Sequence, residues 1–458
     1  MKKVNSNKNE KKGKSVRADK TLTPQPAPAE FEEHIYADRL LAKIGMIRTC
    51  GKIWYQYEQG VWHYVDRHIF LPVALEGLPL QIRTAGNAAK TLKHIQQKCQ
   101  VKNDYFRGFY KLDEAGDILV NCANGVVKIG KQGVELLPHS SDYNFTYKVR
   151  ANYDPKAECP VFDQQVEWMF PGKEDRELFE LCGGNILFPD ARYEMACVLY
   201  GPGCTGKSTL MGAIAYALGP DLVRHLSMTQ LNGQNTYFLA DLQHVALNIC
   251  SELEAHEIKD SSLFKQIVSG EKTACRKIRQ APTVLSSNVK IFCLTNHIPS
   301  FKGGNGAEER RLRILHVDRI PTEPDITLKR RLESESDGIF LRLVQWTQKL
   351  IALSAIPEGG EKSQSVKRVF AISNDPIGCF VREGCEIGSE YEVGKDELVD
   401  AYTAYCDSNN LVPAAGNIFL RSLYERVPTI VSKRVTREGI RVQMVSGLRL
   451  IEGPEKNN

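Results

Sequence analysis

No apolar run in this 458-residue chain is long enough to span a bilayer. The first residues carry charge but lack the apolar stretch of a secretory signal. These two absences lead us to expect a cytoplasmic protein without membrane contact. None of the thirteen cysteines forms a C-x-x-C pair, and the nearest two are Cys379 and Cys385. That spacing excludes a zinc-finger module and leaves the thiols as reduced, mostly buried small apolar groups. There is no internal repeat. A basic surplus is missing from the folded part as well. Residues 1–20 hold eight Lys/Arg and two acids, which accounts for the whole net charge of +5 and leaves the rest near −1. Any contact with nucleic acid must then come from local patches or from the polar tail acting as a loose phosphate-binding arm.

What is present is a globular composition, 42% apolar and 25% charged, in a chain long enough for two or three domains. Residues 1–29 read as a disordered basic tail ending in a Pro/Ala stretch. An accessory α+β domain is expected over 30–158. Within it, helices are expected over Ile35–Ile44 and Asn87–Gln100, and an aromatic hairpin from Ile53 around a turn at Gly60. From 159 to 356, apolar runs alternate with helical stretches. This predicts an α/β domain with a largely parallel sheet, its strands at Met195–Tyr200, His244–Cys250, Val289–Leu294 and Leu312–Val317. A linker is expected over 357–374. Residues 375–452 then read as helix, helix and a two-stranded turn at Gly439, an order that fits a winged-helix module.

The most specific motif is Gly201-Pro202-Gly203-Cys204-Thr205-Gly206-Lys207-Ser208-Thr209, placed between a strand and a helix. Glycines let the backbone turn its N–H groups onto phosphate oxygens, and the helix N-terminus adds its dipole. Lys207 is expected to neutralise the β- and γ-phosphates of ATP, and the Ser208 hydroxyl to ligate Mg²⁺.

A motor built on such a loop needs an acid at a neighbouring strand end. Glu252 is the first carboxylate after its strand, expected to polarise the attacking water and help hold Mg²⁺, with Glu254 a possible helper. Asn296 follows the next strand, 44 residues on, where a polar side chain would lie between the other two strand ends and orient water or sense the γ-phosphate. Arg310 and Arg311 precede the last strand. In a ring, an arginine there reaches a neighbour's γ-phosphate; Arg311 is favoured and Arg310 is the alternative. Lys272, Arg276, Lys277 and Arg279 crowd the approach to a hairpin before Val289, with Lys265 on the preceding helix. They form the local basic patch expected to hold single-stranded DNA.

These segments, with Ser251-Glu252, Lys265…Ser269-Gly270, Leu294-Thr295-Asn296…Pro299 and Arg310-Arg311 in one compact order, resemble superfamily 3 helicases. The group in question is the phage/plasmid primase–helicases, which includes the poxvirus primase–helicase. Asn124-Gly125-Val126, Leu137-Pro138-His139, Tyr153-Asp154-Pro155 and Phe162 onward resemble that family's accessory region, and the C-terminal helices its winged helix. The resemblance implies an AAA+-type motor in a homo-oligomeric ring, a hexamer by expectation. It would be ATP- and Mg²⁺-dependent, act on single-stranded and forked DNA, and replicate a phage, plasmid or other mobile element. No primase-like acidic cluster is present, so a helicase relying on a separate primase is expected. The alternative is an initiator or loader that binds origin DNA without unwinding it.

Overall fold

The computed structural model describes residues 30–232, 238–251, 261–276, 283–285, 288–297, 301, 306–353, 355–437 and 440–451. Backbone contacts divide them into two units, 30–56 with 64–102, and 57–63 with 103 onward.

In the first unit, helices Glu33–Ile44 and Ala85–Lys98 place Ala37, Leu40, Ile44 and Ala88, Leu92, Ile95 at helical spacing. These stripes meet Trp54, Phe70 and Ala74 in one small core. The Thr84 hydroxyl caps the second helix by accepting from the Asn87 N–H at 3.1 Å. The hairpin that starts at Ile53 turns within residues 57–63 of the second unit, at Gln59 and Gly60, both with positive φ, as a tight two-residue turn requires. Its aromatics do not form one buried face. Trp54 and Trp62 are buried, but Tyr64 is 68% exposed.

The second unit begins with a four-stranded antiparallel meander, Tyr110–Leu112, Ile118–Cys122, Gly125–Gly130 and Gly133–Leu137. The central sheet follows. Among the described residues it has five strands: β1 (Ala196–Tyr200), β2 (Val223–Arg224), β3 (Leu247–Ser251), β4 (Lys290–Thr295) and β5 (Leu312–His316). They are parallel and ordered β5-β1-β4-β3-β2. Their nearly unbroken burial reflects cover on both faces. Helix α1 (Lys207–Leu218) packs on one face together with helix Ser336–Ile351, which in turn lies against helix Lys173–Asn185. That last contact is close: a Cβ on Gly184 would come within 2.5 Å of the Trp346 backbone, so only glycine fits.

Two expected boundaries move. The cut after residue 158 is not a division in packing, because Phe109, Val120, Val127 and Val149 share one core with Phe162, Phe179 and Trp346. A four-stranded meander alone encloses too little to stand apart. The expected linker 357–374 is mostly helix, Glu361–Asn374. Val366 and Phe370, one turn apart, pack against the cluster around β4 and β5, and the Ser363 hydroxyl accepts from the His316 N–H at 2.9 Å. The C-terminal segment contains both expected helices, Lys395–Ser408 and Gly416–Arg426. It adds a helix, Pro376–Gly384, and a strand, Cys385–Gly394, that pairs with Ile440–Leu450. Among the described residues, no helix is long and apolar enough to cross a membrane.

Lys290, at the start of β4, is buried, and its ammonium donates to the Asp190 and Asn288 carbonyls at 2.6 and 2.9 Å. Burial pulls its pKa from 10.5 down to about 7; the Asp190 carboxylate opposes this and Arg192 adds to it. Between those values the unfolded chain binds more protons than the folded one, so this group makes stability rise with pH across that window. Lys290→Met is expected to flatten the rise, read as the denaturant midpoint measured from neutral to alkaline pH.

Candidate functional site

The glycine-rich loop leaves β1 and enters α1, whose first residue is Lys207. The Gly201 N–H donates to the Thr295 carbonyl at 3.1 Å, tying the loop to the end of β4. A Cβ at Gly201 would come within 1.7 Å of the Val317 carbonyl oxygen, so the chain passes there only as glycine. Cys204 and Gly206 have positive φ, and Gly206 stands at the N-cap of α1. This turn leaves the first N–H groups of α1 without intrahelical acceptors, the arrangement that receives an anion. Ser208 is exposed in the first turn.

Lys207 is buried. Its ammonium is folded back on the loop, donating to Gly201 O at 2.8 Å, Pro202 O at 2.7 Å and the Thr205 hydroxyl at 3.1 Å. It also reaches the Asn296 Oδ1 at 3.4 Å. Burial draws its pKa below the ordinary lysine value. The Lys207–Asn296 contact follows from strand order, since β4 lies between β1 and β3 with Thr295 opposite Tyr200. On the other side of β4, Ser251 pairs with Leu294. Glu252 and Glu254 lie outside the described residues, as do Lys277, Arg279 and Pro299. The residues at hand therefore suit a triphosphate, with Ser208 available to a Mg²⁺ ion.

The two arginines differ sharply. Both belong to the short turn Glu309–Arg311 before β5. Arg310 is exposed. Arg311 is buried and used within its own chain. It donates to the Ser269 hydroxyl at 3.0 and 3.2 Å and the Ala307 carbonyl at 3.0 Å, and pairs with Glu194 at 3.5 Å. The guanidinium of Arg311, the favoured reaching residue, is thus engaged within its own chain. Arg311→Ala is expected to cost about 1–3 kcal/mol of stability by removing the hydrogen bonds and ion pair of a buried guanidinium. Urea unfolding of the variant measures it.

Lys265 is likewise not an open DNA contact. It pairs with Glu308 at 3.2 Å, and Glu308 also accepts from the Ser261 hydroxyl at 2.5 Å. Burial alone would raise the Glu308 pKa, but the hydrogen bonds from Ser261 and Lys265 outweigh it and lower it. Both links fasten helix Ser262–Val268 to the turn that carries Arg310. Glu194, Ser261 and Glu308 carried no sequence signal for this role, since each lies far from its partner along the chain. Strands Thr273–Cys275 and Thr283–Leu285 pair as the expected hairpin, and Lys272 and Arg276 are exposed beside the first of them.

The site belongs to an α/β protein with a five-stranded parallel sheet and a glycine-rich loop at the end of a central strand, counted among the described residues. Residues 34–171 match the family model described as D5 N terminal like, and residues 199–311 match one described as a family of unknown function, DUF5906. A curated protein of Acanthamoeba polyphaga mimivirus, named "Putative helicase L207/L206", is 26% identical over 374 residues. The match covers 70% of this chain and 38% of that protein, so the chain spans well under half of that relative. Among solved structures, the A-form apo structure of the NrS-1 C-terminal region superposes with a TM-score of 0.55 at 10% identity, over 90% of this chain and 98% of that one. The apo structure of NrS-1 residues 305–718 gives a TM-score of 0.55 at 11% identity, over 91% and 100%. These likenesses are of fold.

Proposed function

We propose that this chain is an ATP-dependent DNA helicase of superfamily 3 type, acting as a ring on single-stranded DNA during replication of a mobile element. One observation carries the reading. The strand order brings Asn296 to the Lys207 ammonium, between the loop strand and the strand that leads to Glu252. A phosphate on the loop would take over the ammonium that the Gly201 and Pro202 carbonyls now hold. Asn296 would then be within reach of the γ-phosphate or the attacking water, and Glu252 would polarise that water. Mg²⁺, when bound at Ser208, would offset charge on the phosphate oxygens. Arg310 is the residue we assign to a neighbour's γ-phosphate. Lys272 and Arg276 on the hairpin, continued by Lys277 and Arg279, would contact phosphates of the strand. The C-terminal helices and hairpin suit a winged-helix DNA contact. The viral relative's helicase name agrees with this reading.

Strand displacement on a forked duplex tests it. Displacement that requires ATP supports the helicase. ATP hydrolysis by fully assembled protein without displacement leaves an initiator or loader instead.

A further inference from the structure

A cavity of about 580 Å³ opens at the edge of the central sheet opposite the phosphate loop. The meander and the loops beside it contribute Phe106, Arg107, Lys111 and Asn144; the central sheet's edge contributes His244 and Asn288. His244 lies three residues before β3 and Asn288 two before β4, so both mark the N-terminal strand ends. The loop is at the other ends. Strands of five or six residues separate the two edges by about 17–20 Å at ~3.3 Å per residue. A triphosphate on the loop therefore does not fill this cavity.

Two cations meet here without a carboxylate partner among the described residues. The Arg107 guanidinium donates to the Asp104 carbonyl at 2.7 Å. The Lys111 ammonium lies over the Tyr143 and Phe145 rings, 5.3 and 5.9 Å from their centroids. Burial and then the nearby Arg107 charge lower the Lys111 pKa, while Asp113 and Asp142 act the other way. Two cations that line other cavities of this unit are neutralised. Arg342 pairs with Asp163, and Lys128 with Asp113. Two like charges on one wall, beside an aromatic ring and two carboxamides, are the makings of a site for a nucleic-acid phosphate.

The hairpin strand Thr283–Leu285 ends three residues before Asn288, so the basic hairpin is rooted at this same edge. The geometry points to a second contact for single-stranded DNA, in which a phosphodiester of the strand held by the hairpin lies between Arg107 and Lys111. The accessory meander would then grip the strand as well as support the motor. This inference rests on the reading of the chain as a motor on single-stranded DNA.

The test is oligo-dT affinity of the full chain at several salt concentrations, for wild type, Lys111→Gln, Arg107→Gln and the double variant. Thermal melts and ATP binding, which need neither residue, establish that the variants fold. Each phosphate that is no longer neutralised lowers the slope of log affinity against log salt by about 0.7, so the double variant, which leaves the one phosphodiester between the two cations unpaired, is expected to lose about 0.7. Lys111→Arg is expected to keep the wild-type slope. An unchanged slope in the double variant, with wild type still binding oligo-dT, overturns the inference and leaves the motor reading standing. Wild type that fails to bind oligo-dT at any salt overturns the motor reading itself. Inorganic phosphate bound by wild type but not by the double variant, with equal oligonucleotide slopes, makes the cavity a small-anion site and also overturns the inference.

Discussion

Lys207→Ala is expected to abolish ATP turnover while leaving the fold intact. The wild-type ammonium is buried and held by two loop carbonyls, the Thr205 hydroxyl and Asn296. The Gly201 and Pro202 oxygens belong to a loop that is open at Ser208, so water can replace the ammonium as their donor. Removal of the side chain therefore takes away one buried cation and admits water, a modest change in stability. The effect on catalysis is larger. The ammonium is a preorganised positive charge where charge develops on the transferred phosphoryl group, and removing one such group costs about 10²–10³-fold or more in rate. Phosphate release at saturating ATP measures the loss. Turnover at the wild-type rate would take the loop out of the mechanism.

Arg310→Ala is expected to lose hydrolysis by about 10³–10⁵-fold with ATP affinity kept, the size of effect a trans-acting arginine carries. Arg310 and Arg311 are chemically alike and adjacent, yet only Arg310 projects an uncommitted side chain from the turn, among the described residues. The deciding experiment mixes Arg310→Ala with Lys207→Ala. At an interface between a subunit with an intact loop and a neighbour with an intact Arg310, one complete site forms and part of the activity returns. No return at any mixing ratio would rule out a site shared between subunits. Arg311→Ala in the same mixture separates the two residues, because a subunit weakened in its own fold is not rescued by a neighbour's loop. The two ties from helix Ser262–Val268 and its C-cap, Lys265 to Glu308 and Ser269 to Arg311, hold the Arg310 turn in place. Helix Ser262–Val268 and the Arg310 turn are thereby fastened to each other.

Much of this arrangement is legible in residue order. Four of the five strands of the central sheet fall within three residues of their expected positions, because continuous apolar runs and a glycine-rich break are strong local signals, whereas the two-residue strand Val223–Arg224 is not among those expected. The placement of Asn296 between two strand ends is legible as well, from an apolar strand ending in a polar residue at a regular interval. The helix over 361–374 reads as a linker because Ser, Lys and Gln dominate 361–368, and four apolar residues, Val366, Phe370, Ala371 and Ile372, supply its apolar stripe. The expected division after residue 158 fails because a change of pattern along the chain does not report where a core ends.

Local order in the chain determined the loop, its helix and the identity of the residues able to meet phosphate, since each depends on backbone freedom and side chains within a few positions. The tertiary structure alone decided which of two neighbouring arginines is free and that Lys265 is spent on Glu308. It alone brought Arg107 and Lys111 to one cavity with Asn288. Those outcomes depend on partners tens to more than a hundred residues away, and whether a charge is available is set by what packs beside it.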